Sequence, residues 1–265
     1  MSGFLYVLFL VISFAASSIG AICGIGGGVI IKPLLDAFGV LSVSTISFLS
    51  GCTVLAMTCY SVIKSKLSGE SLVDMRIGTP LAIGAAIGGG LGKSMFQVIS
   101  GMFADKDMVG AVQAACLLVI TLGTMIYTIK KEKIKTKQVD NLLACVVIGL
   151  ILGIFSSFLG IGGGPINLVV LFYFFSMETK MAAQNSLYII LFSQIFSLLN
   201  SMLTKSVPDF SVALLVLMVT GGILGGVIGR KINRRIAGSV VDKLFIALMV
   251  IIVFINIYNV YQFMW

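Results

Sequence analysis

Gly24-Ile25-Gly26-Gly27-Gly28-Val29-Ile30 recurs 136 residues later as Gly160-Ile161-Gly162-Gly163-Gly164-Pro165-Ile166, with six of seven positions unchanged. A second pattern repeats at almost the same spacing. Gly84, Gly88 and Gly92, followed by Lys93, return at an offset of 137 as Gly221, Gly225 and Gly229, followed by Arg230. The polar residues of 42–63 align more loosely with those of 181–203. Two motifs at one offset divide the chain into a first copy, 1–130, and a second copy, 142–265, joined by a basic linker over 131–141.

The residues around these motifs are apolar to a degree no water-soluble fold can bury. Of 265 residues 58% are hydrophobic and 11% charged, and the mean hydropathy is +1.13. A soluble domain carries ~25% charged residues. Apolar runs cover 4–22, 26–40, 42–63, 77–99, 109–129, 142–159, 164–177, 181–203, 210–229 and 240–264. One crossing takes ~20 residues of helix. The runs 26–40 and 164–177 are too short for that, and each follows a glycine cluster. They read as half-length helices buried in protein. The N-terminus lacks the basic region of a signal peptide and reads as the start of the first helix.

Charge sets the threading. Residues 130–137 hold five lysines, 230–235 read Arg-Lys-Ile-Asn-Arg-Arg, and 64–76 contain Lys64, Lys66 and Arg76. If the short segments fold back to the side they came from, 230–235 falls opposite the other two. If each carries the chain across, all three basic stretches share the cytoplasmic side and both termini lie outside, as the positive-inside bias favours. Each copy then has five crossings, an odd number, so the second is upside down relative to the first. The expected fold class is therefore an all-α polytopic membrane protein of two inverted-topology repeats, each of about five helical segments. Inverted repeats with glycine-interrupted half-helices are a signature of secondary transporters, whose sites lie near the midplane.

Composition removes several chemistries. There is no histidine, and Asp and Glu total 10. His-based metal sites and proton relays are excluded, and no paired carboxylates or nucleophile–base pair is evident. No catalytic residue, cofactor or metal is expected. Cys23, Cys52, Cys59, Cys116 and Cys145 form no CxxC pair and read as small buried hydrophobes. The net charge of +8 reflects topology, not nucleic-acid binding.

Two resemblances to nucleotide motifs fail. Gly24-Ile25-Gly26 opens like a dinucleotide fingerprint, but Val29 stands where the last glycine belongs and an apolar helix precedes it. Gly88 to Ser94 has three residues between Gly88 and Gly92 where a P-loop needs four. The Gly84 and Gly221 series read as glycine zippers ending in basic anchors, Lys93 and Arg230.

The first turn of each short helix offers unpaired N–H groups and a partial positive charge, which attract an anion in a low-dielectric interior. Pro165 suits such a first turn, and Lys32 adds a full charge in the first copy, where the second has Leu168. Ser44, Ser47, Ser50, Thr58 and Ser61 mark one helical face of 42–63. Ser186, Ser193, Ser197, Asn200 and Ser201 mark one face of 181–203, after Gln184 and Asn185. Hydroxyl and amide donors on such faces suit an oxyanion. Gln113 and Gln194 read as packing or lipid-boundary groups, and Asp36 and Glu178 as interfacial groups. The candidate substrate-binding residues are Gly26, Gly27, Gly28, Lys32 and Ser47 with Gly162, Gly163, Gly164, Asn167, Gln184, Asn185 and Ser186.

Duplicated GIGGG motifs, each followed by a short hydrophobic segment, in a chain dominated by membrane spans resemble the TauE/SafE sulfite exporter family, also called the toluene-sulfonate uptake permeases. The resemblance covers essentially the whole chain and is most specific at Gly24–Gly28 with Pro33 and at Gly160–Gly164 with Pro165. The prolines differ in place, so the two half-sites need not be equivalent. The resemblance implies transport of sulfite, sulfonates or related carboxylates across a prokaryotic inner membrane. The expected partners are a small anion and membrane lipid, with oligomeric state open and a dimer allowed. The rival readings are a passive anion channel, a membrane enzyme and a non-transporting scaffold or sensor.

Overall fold

The apolar runs become helices almost residue for residue in a computed structural model, which describes residues 3–102, 106–161 and 163–264. Gly162 therefore lies outside the described residues. The first half comprises α1 (Gly3–Cys23), α2 (Gly28–Phe38), α3 (Val43–Leu67), α4 (Met75–Met102) and α5 (Lys106–Lys130). The second comprises α6 (Leu142–Phe158), α7 (Pro165–Phe175), α8 (Thr179–Leu203), α9 (Val212–Arg235) and α10 (Gly238–Met264). No strand occurs among the described residues. Six of the helices, α1, α3, α5, α8, α9 and α10, are long and apolar enough to cross a membrane.

Local chemistry explains the boundaries. Ser42 caps α3 by accepting from the Thr45 amide at 3.2 Å, and Asn141 caps α6 by accepting from the Leu143 amide at 2.9 Å. Helices α2 and α7 have 11 residues each. At 1.5 Å per residue each spans about 16 Å, roughly half of a ~30 Å hydrocarbon core. Both end on a left-handed residue, Gly39 and Ser176.

The two halves pack by one scheme used twice. Gly221, Gly225 and Gly229 of α9 press on the backbone or side chains of Leu10, Phe14 and Ser18 of α1. Gly84, Gly88 and Gly92 of α4 press on the backbones of Val146, Leu150 and Ile154 of α6. Adding 136 to the α1 numbers gives the α6 numbers, and adding 137 to the α4 numbers gives the α9 numbers. A helix from each half is thus zipped, running the same way, onto a helix of the other half through contacts that side chains would block. Between these pairs α3 lies on α8, while α3 also meets α9 and α4 also meets α8. The small helices are held equivalently, α2 by α3 and α10, α7 by α8 and α5.

The basic stretches meet at one end. Arg230 donates to Ser68 Oγ at 2.7 Å and to Glu70 at 3.0 Å. Lys131 pairs with Asp242 at 2.6 Å, and Thr179 donates to the same carboxylate at 3.0 Å. At the other end Tyr6 meets Ser211 at 3.5 Å, and Gly39 and Gly110 lie against Gln262 and Phe263. Helix α2 ends beside the end of α10, through Gly39 and Gln262, and α7 ends beside the linker, through Ser176 and Lys137. Three helices run several residues past their expected ends, α3 to Leu67 rather than 63, α4 to Met102 rather than 99 and α9 to Arg235 rather than 229. Residues 230–235 are not a loop but the last turns of α9. Their positive charges complement the helix C-terminus.

Candidate functional site

Each motif begins with a forced turn. After α1, Gly24 takes φ +77°, and after α6, Gly160 takes φ +65°. An L side chain is strained there, and space forbids one as well. A Cβ on Gly24 would strike Ala183 of α8, and a Cβ on Gly160 would lie 2.5 Å from Ser47 Oγ of α3. Ala183 is the counterpart of Ser47 at the offset of 136. Each motif is therefore seated on the equivalent residue of the opposite half.

The carbonyls left open at the ends of α1 and α6 are also treated alike. Ile22 O accepts from Asn233 Nδ2 at 2.6 Å, and Phe158 O, its counterpart, accepts from Gln113 Nε2 at 2.6 Å. Gln113 thus caps a broken helix within the protein, away from the lipid boundary.

The two motifs touch in the core. Gly28, the first residue of α2, faces the Ile161 carbonyl, which leaves no space for a Cβ. Ile25, Val29 and Ile161 are fully or almost fully buried around them. A Cβ on Gly27 would lie 2.8 Å from Ser17 Oγ, which is buried without a hydrogen-bond partner. The amides of Gly26, Gly27, Gly28 and Val29 have no acceptor among the described residues. Asn167 Oδ1, Ser47 Oγ and Ser186 Oγ are buried and unpartnered too. Gly163 is covered by Ile190, and Gly164 meets the Ile161 side chain. Buried polar groups of native folds are almost all paired, so this concentration of unpaired donors and acceptors is unusual.

Other candidate residues have different work. Lys32 is buried and pairs with Asp36 at 2.5 Å, one helical turn on, so its charge is neutralised within α2. Its Cε still lies 3.3 Å from where a Gly160 Cβ would stand. Asp36 is thus a buried counter-ion and not an interfacial group. Gln184 accepts from Ser65 Oγ at 3.0 Å and from the Leu72 amide at 2.9 Å. Asn185 accepts from the Asp74 amide at 3.2 Å and donates to Leu72 O at 3.2 Å. These two amides pin the α3–α4 loop.

Two cavities lie toward opposite ends of the helix bundle. The one at the basic end, about 50 Å³, is lined by Ser61, Ser65, Gln184, Arg230 and Asn233 and reaches Ala183, the seat of Gly24. The one at the other end, about 320 Å³, is lined by Ser44, Lys93, Gln97 and Ser206. Ser44 is one turn from Ser47, the seat of Gly160. Lys93 and Arg230 are equivalent positions, as are Ser206 and Glu70. Sequence reasoning missed Ser17, Glu70 and Asn233, and it read Lys93 only as the basic anchor of a glycine zipper, whereas its side chain lines the second of these cavities. Among the described residues no group of three or more Cys, Asp or Glu side chains gathers to hold a metal ion.

No curated protein and no solved structure matches the chain. The family described as Sulfite exporter TauE/SafE matches residues 9–256, nearly the whole length. With its multi-pass helical fold and duplicated glycine motifs, the chain belongs to the TauE/SafE sulfite exporter family of membrane transporters.

Proposed function

We propose that the protein is a secondary transporter of small anions, sulfite or a related sulfonate or carboxylate, working by alternating access about a site between the two halves. The observation that carries this reading is the reciprocal seating of the motifs, Gly24 on Ala183 and Gly160 on Ser47. With it, the first residue of α2 lies against the Ile161 carbonyl, in the turn that precedes α7. The unpaired amides of Gly26–Val29 supply donors for an oxyanion there, and Ser17, Ser47, Asn167 and Ser186 supply side-chain partners. Gly163 and Gly164 supply the corresponding turn in the second half.

The core between the motifs is filled by the Ile161 carbonyl and side chain. An anion reaches it when the halves shift against one another, and this favours a carrier over a permanently open channel. The equivalent cavities at the two ends are the routes a rocking motion would open in turn. In this reading the basic end faces the cytoplasm of a prokaryotic cell, both termini face outward, and the halves are inverted repeats.

The test is anion-dependent thermal stabilisation of the purified protein with sulfite, methanesulfonate and acetate as probes. The wild type is stabilised in a saturable way by at least one probe. Gly27→Leu and Gly163→Leu insert but lose that stabilisation. Equal stabilisation of both variants and the wild type would remove the motifs from the site.

A further inference from the structure

The outer cavity holds a charge that the motif site does not use. Lys93 is nine residues short of the end of α4, and it is 8% exposed. A lysine at such a depth in hydrocarbon is costly unless it pairs or faces a wet cavity. Lys93 has no ion-pair or hydrogen-bond partner among the described residues. Its ammonium lies over the Phe96 ring, 5.1 Å from the centroid. The same side chain lines the outer cavity with Ser44, Gln97 and Ser206.

The inner cavity sharpens the comparison. Arg230, equivalent to Lys93, pairs with Glu70 at 3.0 Å, and Arg234 of the same cavity shares that carboxylate. The residue equivalent to Glu70 in the outer cavity is Ser206, which carries no charge. The nearby titratable groups are Cys52 on α3 and Lys32 on α2, and Lys32 already has Asp36. Asp209, next to cavity-lining Pro208, is exposed, and its backbone carbonyl accepts from Thr45. The two cavities are thus alike in position, but a carboxylate bridges the cations of one and none pairs with the lysine of the other.

We infer that Lys93 is an anion-binding residue of the outer cavity, holding a small oxyanion with Ser44, Gln97 and Ser206 before it passes Ser47 to the motif site. This rests on the carrier reading above and adds a second, sided station to it. The ammonium contributes charge attraction and the Ser44 hydroxyl a donor, while Gln97 and Ser206, bonded to one another in this structure, exchange that bond for the anion. In the inner cavity both guanidiniums, Arg230 and Arg234, are held by Glu70, so no cation there is left without a carboxylate.

The test measures initial rates of sulfite transport in oriented vesicles, varying sulfite on one face at a time. Lys93→Gln raises the half-saturating concentration at the outer face at least tenfold and leaves the inner face within twofold. Lys93→Arg stays within threefold of wild type on both faces. On wild-type protein, sulfite slows acylation of Lys93 by an amine reagent, read by mass spectrometry, while chloride at equal ionic strength does not. That last measurement decides the matter if the glutamine variant does not fold. An unchanged outer half-saturation in Lys93→Gln, an equal rise on both faces, or unprotected labelling would overturn the station and leave the carrier reading standing. Absence of saturable transport by the wild type would overturn both.

Discussion

Gly28 lies directly against the carbonyl oxygen of Ile161, so the first residue of one broken helix touches the loop that starts the other. The backbone cannot yield there as a flexible side chain would. Gly28→Ala should therefore destabilise the protein by about 1–3 kcal/mol, the usual cost of overpacking a tight core. Thermal unfolding in detergent checks this, and transport should be lost even where folded protein is recovered.

Gly160 and Ser47 offer a cleaner cycle, because the groups around a Gly160 Cβ are side-chain atoms of Ser47 and Lys32. Gly160→Ala is destabilising alone. Ser47→Gly restores part of the loss, with a coupling of about 0.5–3 kcal/mol in a double-mutant cycle. A residue of about 1–2 kcal/mol remains, because alanine is strained at φ +65° whatever the space. Strict additivity would show that the two residues are not in contact.

Lys32 and Asp36 form an ion pair with 4% exposure on each side chain. Removing one partner leaves a buried charge, so Asp36→Asn should cost about 3–5 kcal/mol. The double variant Lys32→Met with Asp36→Leu should return close to wild-type stability, since apolar replacement of a buried pair is often neutral. Equal loss in the single and double variants would show that the charges are not paired in the folded protein.

Glu70 joins Arg230 and Arg234, tying the α3–α4 loop to the end of α9 over the inner cavity. Arg234 and Glu70 are substantially exposed, so the pairs add at most about 1 kcal/mol to stability. Glu70→Gln should leave the unfolding temperature nearly unchanged. It should speed thiol labelling of Ser61→Cys, a lining residue of that cavity, in a background without the native cysteines. Unchanged labelling would mean that the loop does not restrict access there.

Much of this architecture is legible in the sequence because membrane helices declare themselves by apolar length and the two copies share one offset. The half-helices α2 and α7 follow from the short runs after GIGGG. Side-chain partners at long separation are less legible. Gln184 and Asn185 look like pathway donors in sequence, but most of their partners are Ser65 and backbone groups of Leu72 and Asp74, more than a hundred residues away. Lys93 looks like the basic anchor of a glycine zipper because it follows Gly92 directly. Its burial depends on neighbours from other helices that the local run does not name. Lys32 and Asp36 stand at helical i, i+4 spacing, so their pairing was readable but was masked by assigning each a separate role.

The central claim is that the paired motifs form one carrier site, and sulfite counterflow in proteoliposomes tests it most directly. Vesicles loaded with unlabelled sulfite should transiently accumulate labelled sulfite from outside, saturably, with wild-type protein and not with Gly28→Leu. Flux that never saturates and shows no counterflow, or counterflow undiminished in Gly28→Leu, would contradict it.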